Sequence, residues 1–261
     1  MRPEERREKM AALVNEATRI SVDELAALLD TSRETVRRDL TLLSEQGLLR
    51  KVHGGAVSAQ TALESPIGDR RSTARAEKFA IGRAAAQLFN DGDSLLVDTG
   101  STTAYFAESL KSAGNFTVIT NSVTVAHELW SGPGNSEVYL LGGRYHGDGP
   151  EVLGPMVIEQ INRLHADHAV LTIGAIDPSG TFMDFNADEA FVARAMIASA
   201  RRITILADSS KLGRQALFEV CKAEQVSRLV TDRVPSGAVR TALQAADVEI
   251  IIAEPTFATL R

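Results

Sequence analysis

The sequence predicts two joined domains: an N-terminal winged helix-turn-helix, then an α/β domain built on a mostly parallel sheet. Three observations carry this expectation. Short apolar stripes of helical spacing crowd the first fifty residues, and the third of them bears three arginines in TSRETVRRDL at 31–40. Two β-like runs around a Gly-Gly turn come directly after. Beyond residue 76, seven short apolar runs recur, most of them separated by helical stretches, which is the pattern of a sheet covered on both faces.

Length and composition are compatible with that division. A chain of 261 residues accommodates one substantial core and a small extra domain. At 44% hydrophobic and 24% charged it has ordinary globular composition. The lone Cys221 cannot form an internal disulfide, as expected in a reducing compartment. No apolar run approaches the roughly 18 residues of a membrane span, and the charged start MRPEERREKM lacks the apolar middle of a signal peptide. A cytoplasmic chain without membrane contact is expected. Its net charge of -6 is uneven: residues 1–57 hold ten Lys/Arg and ten Asp/Glu, so the acidic excess lies entirely in the remainder. The N-terminal piece is the less repulsive toward a polyanion, and the placement of its cations decides the matter.

Met10, Leu13, Val14 and Ala17 form the first helical stripe. Ser21 with Glu24 reads as a capping box opening a second, short helix through Val22, Leu25, Ala26 and Leu29. Asp30-Thr31-Ser32 is a turn, and Thr31 or Ser32 caps a third helix whose Val36, Leu40 and Leu43 face inward; Gly47 ends it. At about 100° per residue, Glu34, Arg37, Arg38 and Thr41 face away from that stripe, with Arg33 on the flank. Such an exposed N-terminal half of a third helix is what enters a major groove, where arginine pairs with guanine or phosphate. The hairpin at 48–57 adds Arg50, Lys51 and His53 as phosphate donors. The expected partner is double-stranded DNA, contacted by Ser32, Arg33, Thr35, Arg37, Arg38, Arg50, Lys51 and His53. The competing reading is a solvated face in which Glu34 and Asp39 neutralise the arginines.

The run SVDELAALLDTSRETVRRDLTLLSEQGLLRKVHGGAV closely resembles the N-terminal domain of the DeoR family of bacterial transcription regulators. The S-x-x-T-[VI]-R-R-D-L core stands here as Ser32 and Thr35 to Leu40, and the subsequent R-x-x-G-G-A ends at Ala56. The winged domain is bounded at 1–58, a linker spans 59–75, and an α/β effector-binding and oligomerisation domain spans 76–261.

Within that last domain a helix carrying Phe79, Ile81, Ala85 and Leu88 precedes the strand Ser94–Val97. Further strands are expected at 116–119, 138–141, 169–173, 203–206, 228–230 and 248–252, with helices at 103–111, 123–130, 155–164, 187–200 and 236–246. Ligands of such sheets lie beyond the carboxyl ends of the strands, so the residues just past each strand are the candidates. Asp98-Thr99-Gly100-Ser101-Thr102-Thr103 opens a helix and offers backbone N–H groups and hydroxyls at its positive end, suited to phosphate. Asp98 itself repels phosphate, and either accepts from a sugar hydroxyl or pins the loop. Asn121, Gly142 with Gly143, and Gly174 stand just past other strands, and Lys211 is placed to neutralise phosphate.

The resemblance to the DeoR family continues through D-x-G-x-T-T, T-N-S, L-x-G-G, V-L-G-P at 152–155, G-A-x-D, the Glu189-Ala190 pair and D-S-S-K. It implies a fold similar to sugar-phosphate isomerases and a phosphorylated sugar as effector, held by Asp98, Gly100, Ser101, Thr102, Thr103, Asn121, Gly142, Gly143, Gly174, Glu189 and Lys211. One departure is Asp184–Asp188 ahead of Glu189, where the family often carries Thr or Ser near the Glu-Ala pair. The function expected is a DNA-binding repressor of carbohydrate-metabolism genes, acting as a homo-oligomer. No enzyme activity, metal or cofactor is expected. The alternative is an isomerase-like enzyme with an appended DNA-binding domain. His165 and His168 lack a third metal ligand, Cys221 lacks a base, and Trp130 is expected to pack at a helix end.

Overall fold

A computed structural model describes residues 3–17, 19–45, 48–52, 54–58, 72–146 and 150–254. The chain divides between Pro66 and Ile67 into two compact units.

The first unit runs α1 (Pro3–Ala17), β1 (Arg19–Ser21), α2 (Val22–Leu28), α3 (Arg33–Glu45), β2 (Leu49–Val52) and β3 (Gly55–Ser58). The capping box forms as read: Ser21 Oγ accepts from Glu24 N at 3.1 Å, and Ser21 N donates to Glu24 Oε2 at 2.8 Å. Ser32 Oγ accepts from Thr35 N at 3.1 Å and so caps α3. Met10, Val14, Leu25, Val36, Leu40, Leu43 and Leu49 fill one small core. Strand β1 was not expected, since three residues carry no legible alternation. It pairs with β3 to give the antiparallel order β1-β3-β2. Gly55 therefore belongs to a strand, with Gly54 (φ 76°) taking the turn. Any Cβ on Gly55 would lie 2.9 Å from Ser21 Cα and overlap Ile20 O, so β1 can approach only a glycine here. Gly47 and His53 lie outside the described residues.

The second unit opens with α4 (Arg75–Ala86), then β4 (Ser94–Val97), α5 (Ser101–Leu110), β5 (Thr117–Thr120), α6 (Val123–Trp130) and β6 (Glu137–Leu140). Next come a hairpin of β7 (Arg144–His146) and β8 (Glu151–Leu153), then α7 (Pro155–Ile161) and β9 (Ala166–Thr172). After β10 (Ala175–Ile176) and β11 (Phe182–Asp184) come α8 (Ala187–Ala198), β12 (Ala200–Leu206), a 3-10 turn at Ser209–Lys211 and β13 (Phe218–Cys221). The described part ends with β14 (Arg228–Thr231), α9 (Gly237–Ala245) and β15 (Glu249–Ile252). All seven expected strands form one sheet, ordered β15-β14-β12-β9-β4-β5-β6 and parallel throughout.

Its two faces bury separate cores. Leu95 and Val97 of β4 join Ile81, Phe106 and Leu129 on one side, and Leu96 joins Ile161, Met196 and Leu243 on the other. Helices α4 and α5 cross so closely that a Cβ on Gly82 would lie 2.6 Å from Phe106 N. The hairpin β7–β8 and the small antiparallel sheet β10-β11-β13 were not foreseen; strands of two to four residues have no readable period. The helix expected around Phe79 forms, with Phe79 itself 41% exposed, because the buried side of α4 is Lys78, Ile81, Gly82 and Ala85. One expectation about packing fails. Trp130 is 79% exposed at the end of α6, where it does not pack.

Candidate functional site

On α3 the arginines divide by partner. Arg33 is exposed and its Nε lies 2.6 Å from Asp23 Oδ1 of α2. Arg37 and Arg38 are exposed and form no ion pair among the described residues. Of the two acids that sequence alone offered as their neutralisers, Glu34 stays exposed, while Asp39 turns inward and takes Arg6 Nε of α1 at 2.7 Å. The acid next to the arginine pair is thus used up by the fold, and the outer face of α3 stays cationic. Thr35 Oγ1 lies 2.8 Å from Ser32 Oγ. The hairpin is tied to the same helix: Lys51 Nζ donates to Thr41 Oγ1 at 2.8 Å. Arg50 lies on β2, but its side chain, like all of His53, is outside the described residues.

In the second unit the order of strands reverses between β4 and β9, the place where such sheets open a crevice at their carboxyl ends. The segment leaving β4 goes straight into it. Asp98 is buried, and its Oδ1 accepts from Thr99 N at 2.7 Å. Gly100 lies against Thr172 at the end of β9, where a Cβ would overlap Thr172 Oγ1, and that hydroxyl donates to Thr99 O at 3.0 Å. Ser101, Thr102 and Thr103 are buried in the first turn of α5, with Thr103 Oγ1 donating to Gly100 O at 3.2 Å. Leaving β5, Thr120, Asn121 and Ser122 are buried too. Ser122 Oγ caps α6 through Val125 N. The Asn121 side chain is wholly buried; its carboxamide acts on the Asp98 carboxyl beside it, but no geometrically complete hydrogen bond reaches either of its polar atoms. A buried amide left so costs free energy unless something fills its partners' place.

Electrostatics at this edge are unusual. Burial pushes the Asp98 carboxyl well above the usual carboxylate range. The Thr99 N–H opposes this, the nearby carboxylates Glu151 and Asp184 add to it, and the Asn121 amide offsets it slightly. Beyond β12, Asp208 is buried with Lys78 Nζ 3.9 Å from its Oδ2, and it caps the 3-10 turn through Ser210 N.

Of the residues singled out by sequence, Asp98, Gly100, Ser101, Thr102, Thr103 and Asn121 gather at the ends of β4 and β5. Gly174 comes just after β9 and packs against Phe185; a Cβ there would lie 2.7 Å from that ring. Glu189 is half-buried in the first turn of α8, and Lys211 half-buried in the 3-10 turn after β12. Gly142 and Gly143 stand apart: both are exposed after the edge strand β6, and Gln160 takes Gly142 N and O. Gly143 is small because a Cβ would press on Val157 and Val152 at 2.7 and 2.9 Å. Sequence reasoning missed Lys78, Glu151, Asp184 and Thr172. Lys78 was findable: it shares the i, i+3, i+4, i+7 stripe of Ile81, Gly82 and Ala85, and a lysine on a buried stripe needs a partner. Among the described residues no three His, Cys, Asp or Glu converge to hold a metal ion. His168 is buried near Asp93 (3.4 Å), with burial lowering its pKa. Burial pushes the Cys221 thiol up to about 12. No helix among the described residues is long and apolar enough to cross a membrane.

Comparison with known proteins gives both units a family. Residues 6–62 match the model of the DeoR-like helix-turn-helix domain, and residues 73–233 match that of the DeoR C terminal sensor domain. The chain is 36% identical to the HTH-type transcriptional repressor CsqR of Escherichia coli, covering 95% of this chain and 94% of that one. It is 35% identical to the Glycerol-3-phosphate regulon repressor of Haemophilus influenzae, over 90% of this chain and 91% of that one. It is 34% identical to the HTH-type transcriptional repressor GlcR of Bacillus subtilis, over 97% and 98%. A solved ribose 5-phosphate isomerase from Methanocaldococcus jannaschii is far less similar, at 16% identity and a TM-score of 0.40 over 54% of this chain and 55% of that one. With family models matching both units in order, and relatives of 34% and 36% identity spanning almost the whole chain, this protein belongs to the DeoR family of transcriptional regulators.

Proposed function

We propose that this regulator represses carbohydrate-metabolism genes by binding operator DNA through α3 and the β2–β3 wing, and that a phosphorylated sugar at the β4/β9 switch point alters that binding. The wholly buried Asn121 carboxamide carries the reading: apart from its interaction with Asp98 its hydrogen-bonding capacity is unused, which suits a polar place prepared for a ligand. The buried Ser101-Thr102-Thr103 turn at the N-terminus of α5 supplies N–H groups for phosphate, and Asp98 meets a sugar hydroxyl. Gly100, Gly142, Gly143, Gly174, Glu189 and Lys211 complete the effector set. Ser32, Arg33, Thr35, Arg37, Arg38, Arg50, Lys51 and His53 form the DNA set. The chain acts in the cytoplasm by binding, without turnover, and as a homo-oligomer whose wings engage repeated half-sites.

The test is a thermal-shift screen of pentose and hexose phosphates on the full chain, then anisotropy titration of a duplex selected from a random library. One sugar phosphate raises Tm and changes duplex affinity, since a ligand that prefers one arrangement shifts the other equilibrium. No Tm rise with any phosphosugar would overturn the effector reading. Steady conversion of a bound phosphosugar would overturn the claim that the protein does not catalyse.

A further inference from the structure

The parallel sheet of the second unit ends at β6, whose outer side pairs with no other strand among the described residues. Glu137 N donates to Phe116 O at 2.8 Å and Leu141 N to Thr120 O at 2.9 Å, so Glu137, Tyr139 and Leu141 turn their backbone groups toward β5. In a parallel ladder the alternate residues point the other way. The N–H and C=O groups of Val138 and Leu140 therefore face outward, a template for a further strand. Glu137-Val138-Tyr139-Leu140 carries none of the usual guards of such an edge: no lysine, no proline and no shift of register against β5.

Apolar side chains stand exposed on both faces of the same edge. Tyr139 is 50% and Leu140 48% exposed, and as neighbours on a strand they point to opposite faces. On the Leu140 face, α6 packs against β6 and ends in the exposed Trp130. On the Tyr139 face, Gln160 donates to both Gly142 O and Met156 O, which places the exposed Met156 beside the end of β6. These four side chains leave roughly 500 Å² of each copy in water, most of the roughly 800 Å² that one partner of a standard interface buries. At the opposite edge of the sheet, Ile250 and Ile251 of β15 instead pack into the two cores.

The segment is complementary to itself. In an antiparallel pair centred on Tyr139, each Val138 lies opposite Leu140 of the second copy and exchanges both hydrogen bonds with it, so every outward group of both strands is used. A register centred on Val138 or Leu140 instead places one of them opposite residue 136 or 142, beyond the ends of β6. Charge selects the same register. The net charge of -6 opposes association of two copies in general. Centred on Tyr139, the acid of each strand, Glu137, stands four residues or about 14 Å from its mate, beyond a Debye length of roughly 8 Å. Glu137 is also held back along its own strand, where Tyr139 Oη donates to its Oε1 at 2.6 Å.

We infer that two copies of this chain join edge to edge through β6, antiparallel about a two-fold axis at Tyr139, so that their sheets run on into each other. The contact is isologous, with the same patch on both copies. It rests on the homo-oligomer reading above and assigns that assembly a surface and a register.

Sedimentation velocity of the full chain, with cysteine cross-linking, tests it. Leu140→Pro removes an outward N–H and no bond to β5, and it weakens the assembly at least about 30-fold, since each pair loses two hydrogen bonds. Leu140→Lys places a cation on the edge and also lowers the assembled mass. Circular dichroism checks that both variants stay folded. Tyr139→Cys gives a disulfide-linked pair on mild oxidation, because the central Cα atoms lie about 4.5 Å apart. Val138→Cys and Leu140→Cys do not, as each is separated from its mate by more than the roughly 7 Å that a disulfide spans. The buried Cys221 does not compete. An oligomer that gives no cross-link at 139, or that both Leu140 variants leave equally tight, overturns this inference and leaves the homo-oligomer reading intact. A chain that stays monomeric at every concentration overturns both.

Discussion

Arg37 and Arg38 stand in solvent on α3 without an ion-pair partner among the described residues, whereas Thr102, Thr103 and Asn121 are buried where β4 and β5 end. Both regions are suited to anions, and they are suited to different ones. The exposed guanidinium groups are planar cations whose charge acts over roughly a Debye length, which fits a long polyanion whose counterions are released on contact. The buried hydroxyls and amide are fixed in place by the fold, with Gly100 against Thr172 and Ser122 capping α6. They suit one small ligand of defined shape. The first region keeps its charge by steering an acid, Asp39, inward to Arg6. The second buries a carboxyl, Asp98, and so raises its pKa, with smaller additions from Glu151 and Asp184.

The sharpest separation between the two regions is their response to salt. Duplex affinity of the full chain falls about 10³-fold between 50 and 200 mM salt, the loss expected for roughly six phosphate contacts. The affinity for a sugar phosphate changes by only a few-fold over that range. Anisotropy for the duplex and calorimetry for the sugar phosphate read the two slopes, and equal slopes would erase the contrast.

A smaller effect comes from Arg37→Ala or Arg38→Ala. Either weakens duplex binding by about 10- to 100-fold, as loss of one good arginine contact does. Neither alters the Tm rise produced by the sugar phosphate. Unchanged anisotropy with both variants would put the DNA-reading surface elsewhere.

The smallest expected effect concerns Asp98 and changes with pH. Its folded pKa is raised, so between the ordinary carboxylate range and that raised value the folded unit holds a proton that the unfolded chain has released. Stability contributed in this way is present at low pH and is lost as pH rises through the window. Asp98→Asn removes that loss: calorimetry at pH 8 shows the variant more stable than the parent, with a higher Tm. At pH 4.5 the two nearly coincide. The same variant binds the sugar phosphate more weakly, which separates a residue kept for its ligand from one kept for the fold. A Tm difference that is the same at both pH values would mean that Asp98 is ionised in the folded protein.

The legible parts of the chain share a cause. Strands β4, β5, β6, β9, β12, β14 and β15 are apolar runs bounded mostly by Gly, Asn, Asp and Ser, and parallel strands covered on both faces have that signature. The caps at Ser21 and Ser32 were readable because capping is local, acting over three residues. The DTGSTT segment and Asn121 were likewise readable as strand-to-helix turns. Glu151, Asp184 and Lys78 were not, because their significance lies in neighbours far along the chain. For Gly142 and Gly143 the packing was not readable either: a glycine pair after a strand suggests a ligand loop, and the structure adds that one glycine bonds Gln160 and the other lies against Val152 and Val157.

The amino-acid sequence by itself determined the order of elements, the winged helix-turn-helix with its outward arginines, and the hydroxyl-rich turn after β4, since periodicity, capping and turn chemistry are written in neighbouring residues. The tertiary structure alone decided that β4 lies beside β9, that Thr172 reaches back 73 residues to Thr99, and that Asp98 is buried within electrostatic reach of Glu151 and Asp184. Parallel pairing and the burial of charge are settled by packing across the whole sheet, and no local stretch of chain contains that information.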